Sequence, residues 1–283
     1  MLKYLRIVLL LLFVNCNHYG QLQPITKLPK QLSENSGIVK NDDTTIWLIE
    51  DSGNKDHLYK VDFKGTIVED VKIKHAKNID WEDLAKDEKG NLYIGDFGNN
   101  DNDRKNLVIY KVSLSEINSD SEVIAERIDF KYPEQKDFPP KKNELVYDAE
   151  AFFYHKQHLY LFTRNRSKPF TGETLIYRIP AEKGNYDAVL VGKLKLCNNS
   201  KTCQITAADI SLDGKKIALL SHGKLWMLTD FTNENFADGK LNEIDLGIRT
   251  QLEAVCFKNE NTLLLSDEIR DNEGGNLYKY VLK

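Results

Sequence analysis

Acidic side chains recur at corresponding positions in four of five similar short segments of this 283-residue chain. The first position of the segments holds Glu34, Asp80, Asp148, Thr206 and Gln251. The third position holds Ser36, Glu82, Glu150, Ala208 and Glu253. Carboxylates brought close together must either take up protons or bind cations. If the five segments lie side by side, the pattern therefore predicts an acidic site.

Each segment is followed by a turn and by further apolar runs, which indicates that it begins a small β-sheet. Turn signals such as residues 88–91 and 212–215 separate the runs, because glycine, asparagine and aspartate favour tight hairpin turns. Four-stranded units of roughly 40–50 residues are typical of β-propeller blades. The sequence therefore predicts an all-β, five-bladed β-propeller that forms one domain over residues 21–283.

The last repeat reaches the end of the chain after three strands. We expect residues 23–32 to supply its fourth strand, because such closure joins the chain ends and removes an exposed sheet edge. A six-bladed arrangement stays open as an alternative, with a degenerate blade hidden in the insertion at residues 133–143.

In a propeller, the first strand of each blade lines the central channel. Side chains alternate along a strand, so the first, third and fifth positions are expected to share one face. The fifth position is apolar in every repeat: Ile38, Leu84, Phe152, Ile210 and Val255. The pattern predicts one acidic mouth and a channel plugged by apolar side chains.

The ends of the second strands return to the same mouth and add further carboxylates, with Arg164, Arg166, His222 and Arg249 as counter-charges. Oxygen-rich donor sets suit a hard cation such as Ca²⁺. The predicted metal ligands are Glu34, Glu82, Glu150 and Glu253, followed by Asp51, Asp80, Asp96 and Asp148. The alternative is structural, in which these acids bind backbone N–H groups or arginines and tie the blades together.

Residues 1–20 have the pattern of an export signal, with Lys3 and Arg6 before an unbroken apolar run. Cys16 is a candidate for lipidation, and cleavage after Gly20 is the other interpretation. We therefore expect a secreted or cell-envelope protein that contacts the membrane only through a lipid anchor, if one is present. Cys197 and Cys203 could form a disulfide in such an oxidising compartment, or remain free thiols.

Composition and motifs exclude several other functions. The formal net charge of −4 argues against a nucleic-acid binder, which usually has a basic face. The chain has no Gly-x-Ser-x-Gly nucleophile elbow and no phosphate-binding glycine loop. We expect a monomer whose partner is a small ligand or a cell-surface molecule.

Several stretches resemble a group of exported, mostly uncharacterised bacterial β-propeller proteins. They are residues 34–37, 50–53, 80–85, 95–100, 206–214 and 266–268. More distantly, the layout is similar to calcium-dependent propeller hydrolases of the calcium-activated nucleotidase and the paraoxonase and gluconolactonase families. The distant resemblance implies a propeller with a central calcium site.

Two functions are compatible with these observations. The first is a binding or scaffold module that holds a cation or small ligand in its acidic mouth. The alternative is a Ca²⁺-dependent hydrolase of phosphate or lactone esters, in which the metal activates water. In that case Glu150 would act as the base and Arg164 would hold the anionic group.

Overall fold

The five repeated segments form the innermost strands of five antiparallel sheets in the computed structural model, which describes residues 19–271 and 273–283. Each inner strand contacts the inner strand of the next blade, and the fifth contacts the first again. The sheets thus close into a ring around a central axis. The structure confirms the all-β, five-bladed β-propeller.

Each blade has four antiparallel strands, which follow one another from the axis outwards. Blade 1 consists of Asn35–Lys40, Thr45–Glu50, His57–Asp62 and Ile67–Lys74. Blade 2 consists of Trp81–Lys86, Asn91–Asp96, Leu107–Ser113 and Glu126–Lys131. Blade 3 consists of Asp148–His155, His158–Arg164, Glu173–Pro180 and Val189–Lys195. Blade 4 consists of Ala207–Ile210, Ile217–Ser221, Lys224–Thr229 and Lys240–Asp245. Blade 5 consists of Leu252–Asn259, Thr262–Asp267, Asn276–Val281 and Gln23–Lys27.

Blade 5 is completed by the N-terminal strand, as predicted. Gln23–Lys27 pairs antiparallel with Asn276–Val281, with Gln23 opposite Lys279. A 3₁₀ turn at Lys30–Leu32 then leads into blade 1. The ring is therefore closed by backbone hydrogen bonds between the two ends of the described chain.

Residues 122–131, which the sequence pattern predicts as one outer strand of blade 2, are divided between two blades. Glu122–Ile124 pairs in parallel with the outer strand of blade 1, and Glu126–Lys131 belongs to blade 2. The chain changes sheet at buried Ala125, whose N–H donates to the carbonyl of Lys74. A second short strand, Gly184–Asp187, covers the outer edge of blade 2 in the same way. Both strands protect edges that would otherwise be exposed.

The remaining elements are short. The 3₁₀ turns within the described residues are Lys30–Leu32, Leu114–Glu116, Lys142–Glu144 and Phe236–Asp238, and a small hairpin joins Ile269–Arg270 to Glu273–Gly274. No helix in this part of the chain could span a bilayer.

Cys197 and Cys203 form a disulfide with a Cα–Cα distance of 5.7 Å, and Cys256 is a buried free thiol.

The export signal at residues 1–20, including Cys16, lies outside the described residues except for its last two positions. Tyr19 packs edge-on against Tyr278 of blade 5. The N–H of Gln21 donates to the carbonyl of Leu246. The chain is thus in contact with the propeller from Tyr19 onwards.

Apolar side chains form five clusters, and each cluster fills the interface between two neighbouring blades. Strand alternation explains this arrangement, because each sheet directs successive side chains to its two neighbours. The apolar residues at the fifth repeat position belong to these interfaces: Leu84 lies between blades 1 and 2, and Phe152 between blades 2 and 3. The predicted apolar plug of the channel is therefore wrong.

The cause is a β-bulge at the third repeat position. The pairing register shifts across Ser36, Glu82, Glu150 and Glu253 in four of the five inner strands. A bulge redirects the side chains that follow it. In blade 2 the fourth position therefore places Asp83 at the axis, where it binds backbone N–H groups of other blades. Asp209 holds the same position in blade 4, whose inner strand has no such register shift, and binds an N–H group of blade 5.

Asp83 connects three blades. Its side chain is fully buried, and it accepts hydrogen bonds from the N–H groups of Leu84, Phe152 and Ala208 at 2.8, 3.1 and 3.3 Å. Burial raises the pKa of Asp83 well above its ordinary value, and the three N–H donors oppose this rise. Asp209 similarly binds the N–H of Phe257 in blade 5 at 2.7 Å.

Replacing Asp83 tests this connection. In Asp83→Ala, the N–H groups of Phe152 and Ala208 lose their acceptor, at a cost of about 1–3 kcal/mol each in unfolding free energy. Asp83→Asn should lose less, because one amide oxygen can accept from both groups, which share Oδ2 in the wild type. Urea unfolding measures both variants. Equal stability of Asp83→Ala and the wild type would contradict the role.

Candidate functional site

Three carboxylates meet at the mouth where the inner strands begin. Asp51 directly follows the second strand of blade 1, Asp80 precedes the inner strand of blade 2, and Glu82 lies within that strand. Each contributes an oxygen, and these oxygens all lie within 4.8 Å of one another. We call these three residues the acidic triad. The bulge at Glu82 interrupts the pairing of this strand with its neighbour.

Glu82 is the most buried member, with 8% of its surface exposed. Its carboxylate has no hydrogen-bond or ion-pair partner within residues 19–271 and 273–283. Burial raises the pKa of Glu82 well above its usual range, and the charges of Glu150, Asp51 and Asp80 raise it further. Burial likewise raises the pKa of Asp51 to about 6 and raises that of Asp80. The described residues offer the acidic triad no directly bonded counter-charge, so its carboxyls favour the protonated state unless a cation compensates them.

The backbone at Gly98 lies directly against the acidic triad. A Cβ atom there would lie 2.1 Å from Oε1 of Glu82 and 2.3 Å from Oδ2 of Asp80. The N–H of Gly98 donates to the carbonyl of Asp80 at 3.2 Å. Only glycine can bring the loop this close to the carboxylates.

The other predicted ligands have partners of their own. Asp96 pairs with Arg104 at 2.8 Å, and Asp148 pairs with Arg166 at 2.6 Å. Glu150 pairs with both Arg164 and Arg166 at 2.7 Å. Glu253 contacts His222 at 2.8 Å, and Glu34 accepts a hydrogen bond from Asn54 at 2.7 Å. The structure thus brings Asp51, Asp80 and Glu82 together as a group and gives the remaining five predicted ligands separate partners.

Two further carboxyl groups near the acidic triad also have raised pKa values. Burial raises the pKa of Glu150 to about 8, while Arg164 and Arg166 oppose the rise. Burial raises the pKa of Glu268 to about 9, and the charge of Glu253 adds to it. Glu268 accepts a hydrogen bond from Gln251 at 2.8 Å. The mouth therefore contains carboxyl groups that can hold a proton near neutral pH.

Sequence reasoning missed Arg104. It lies in the loop between the second and third strands of blade 2, where it pairs with Asp96 and donates to the carbonyl of Gly98 at 2.6 Å. The repeat contained no signal for it, because the loops at this position differ in length and sequence from blade to blade. Asp83 and Asp209 did carry a signal, since both are acids at the fourth repeat position, where the other repeats hold Gly37, Ala151 and Ala254.

Comparison with known proteins supports the fold. No protein-family model and no curated protein sequence matches the chain. A PQQ-bound aldose sugar dehydrogenase from Streptomyces coelicolor is similar in structure, with a TM-score of 0.51 and 7% identity over 93% of this chain and 98% of that one. A catalytically inactive virginiamycin B lyase from Staphylococcus aureus, solved with quinupristin, has a TM-score of 0.44 and 14% identity over 89% of this chain and 67% of that one. At 7% identity the likeness to the dehydrogenase concerns the fold alone.

The raised pKa of Glu268 predicts a pH dependence of stability. Between its ordinary value of 4.5 and about 9, the folded state holds a proton that the unfolded state releases. The wild type should therefore lose stability as pH rises through this window. Glu268→Gln cannot ionise, so it should match the wild type near pH 4.5 and exceed it at pH 9.

Thermal melting from pH 4.5 to 9 in chelator measures this difference. Glu116→Gln, at an exposed glutamate outside the mouth, is the matched control and should follow the wild-type curve. If Glu268→Gln shows the same pH profile as the wild type, the carboxyl of Glu268 does not carry the predicted proton.

Proposed function

We propose that this propeller is a binding protein that holds a divalent cation, most suitably Ca²⁺, in the acidic triad. The observation that carries the proposal is Glu82, a carboxylate more than nine-tenths buried, without a partner in the described residues, and close to two further carboxylates. Clustered buried carboxylates are stabilised when a cation compensates them.

The donor chemistry of the acidic triad fits this cation. Ca²⁺ prefers oxygen ligands and tolerates irregular geometry, and Asp51, Asp80 and Glu82 supply carboxylate oxygens only. Asp51 and Asp80 are partly exposed, so an ion can enter from solvent and keep water ligands. The loop at Gly98 holds the carboxylates on the other side. A small ligand or partner protein would then bind at the mouth through the cation.

We further propose that the protein works outside the cytoplasm. The disulfide between Cys197 and Cys203 supports this location, because disulfides persist in oxidising compartments. The apolar run after Lys3 and Arg6 supports export. A lipid anchor at Cys16 would hold the propeller at a membrane surface.

Calcium should stabilise the wild type by mass action, by about 2.7 kcal/mol at a hundredfold excess over its dissociation constant. Glu82→Gln removes one charge at constant size, so it should weaken the calcium-dependent shift and raise stability in chelator. Glu34→Gln is the matched control, since Glu34 lies outside the acidic triad and should keep the shift.

Thermal melting of the three proteins with calcium and with chelator provides the measurement. Absence of any calcium-dependent shift in the wild type would reject the cation site. An equal loss of the shift in Glu34→Gln and Glu82→Gln would instead indicate a diffuse acidic field and reject the acidic triad as the binding site.

A Ca²⁺-dependent hydrolase is the second candidate. The observation that favours it is the proximity of protonatable carboxyls, since burial raises the pKa of Glu150 to about 8 and that of Glu268 to about 9. Such groups can act as general acids or bases near neutral pH. Arg164 and Arg166 add positive charge for a phosphate or carboxylate group.

A screen with phosphate monoesters, nucleotides and lactones separates the two functions. A hydrolase should turn over one of these classes, and both chelator and Glu82→Gln should abolish at least nine-tenths of the rate. Calcium binding without turnover of any class would favour the binding protein. Turnover that persists in chelator would contradict the metal-dependent mechanism.

A further inference from the structure

The opposite mouth of the channel, where the inner strands end, contains a second cavity. It has a volume of about 390 Å³ and is lined from all five blades, which places it within the roughly 300–1,000 Å³ range of small-molecule sites. Asp209 and Cys256 lie among its lining residues. Nothing in the calcium proposal uses this end of the channel.

Three lysines surround the cavity. Lys40 and Lys86 occupy the same repeat position at the ends of adjacent inner strands, and Lys258 comes from blade 5. The ammonium of Lys86 donates to the carbonyl of Lys40 at 3.3 Å, and that of Lys40 donates to the carbonyl of Lys258 at 3.2 Å. These contacts place the ammonium groups of Lys86 and Lys40 against the backbone of the next lysine, and the ammonium of Lys258 donates to the carbonyl of Asp43 at 3.3 Å.

The carboxylates nearby neutralise the three lysines only in part. Asp43 pairs with Lys40 at 2.8 Å. The carboxylate of Asp87 accepts hydrogen bonds within its own turn, from Lys89, Asn91 and Tyr93. Within the described residues, neither Lys86 nor Lys258 has a carboxylate within 4.0 Å, whereas other lysines of the chain do.

Asp42 adds some negative charge near Lys86, while the titratable groups buried in the cavity wall add little. Burial raises the pKa of Asp209 to about 7, so this carboxyl is partly protonated near neutral pH. Burial raises the pKa of the Cys256 thiol well above its ordinary value, so it stays neutral. Glu88 is exposed at the rim, and burial lowers the pKa of His155. Burial and the charge of Lys40 lower the pKa of Lys86, a cost that an anion would relieve.

We propose that this cavity binds a phosphate-sized oxyanion, free or as the terminal group of a small phosphate monoester, between the ammonium groups of Lys86, Lys40 and Lys258. Lysine ammonium groups are compact charges with three donors each and bind tetrahedral oxyanions as point charges. The site is independent of the cation at the other mouth.

Isothermal titration calorimetry with inorganic phosphate, at low ionic strength and in chelator, tests the proposal. The wild type should bind, and Lys86→Gln should bind at least tenfold more weakly. Lys72→Gln is the matched control, because Lys72 is exposed on the outer strand of blade 1 and should leave binding unchanged. A parallel titration with glycerol 3-phosphate shows whether the free ion or the monoester is preferred.

A second measurement uses only the wild-type protein and therefore does not depend on the folding of the variant. Acetylation of the wild-type protein, followed by mass spectrometry, should show that phosphate protects Lys86 and not Lys72. Absence of phosphate binding in the wild type would overturn the proposal. Equal weakening by Lys72→Gln and Lys86→Gln would also overturn it, since it would indicate a nonspecific surface interaction. Because chelator is present throughout, failure here is distinguishable from failure of the calcium site.

Discussion

The structure depends on how the inner strands satisfy the backbone groups that face the axis. Each inner strand pairs with a neighbour on one side only, so its other edge presents N–H groups that a buried position cannot leave without acceptors. Asp83 supplies one oxygen to both Phe152 and Ala208, and Asp209 supplies one to Phe257. Two side chains thus connect the edges of blades 2 to 5 across the axis. The apolar interfaces hold neighbouring blades together, and these two carboxylates bridge the centre.

Because carboxylates are already buried at the axis, further negative charge at the mouth above it needs a positive partner. Asp96, Asp148 and Glu150 are each compensated by an arginine within 2.8 Å. Among the described residues the acidic triad lacks such a partner, and the backbone of Gly98 occupies the space that a side chain would fill. Unpaired buried charge destabilises a fold. The acidic triad, left without such a partner while its neighbours are paired, is therefore the basis of the proposed cation site.

The repeat predicted the blade number, the closing strand and most strand positions, because these follow from the alternation of apolar residues and turns. It also placed Asp51, Asp80 and Glu82 at one mouth. It could not predict the bulge at Glu82, which depends on pairing with the second strand. The one extra residue of the bulge turns the side chains that follow it, including that of Leu84, to the opposite face of the strand from the one expected. The contact of Arg104 with Asp96 could not be predicted from the repeat either, since it depends on the path of a loop.

The five inner strands all begin at one mouth and end at the other, so repeat position determines height along the axis. The residues at each mouth therefore depend on which side chain each blade carries at a given repeat position. The inner strand of blade 2 and the residue before it contribute to three features: Asp80 and Glu82 belong to the acidic triad, Asp83 binds the axial N–H groups, and Lys86 lines the opposite cavity. Since successive residues of one strand contribute to all three features, their relative positions are fixed by its backbone. A cation at one mouth and an anion at the other would then be held at constant separation, with the buried carboxylate of Asp83 between them.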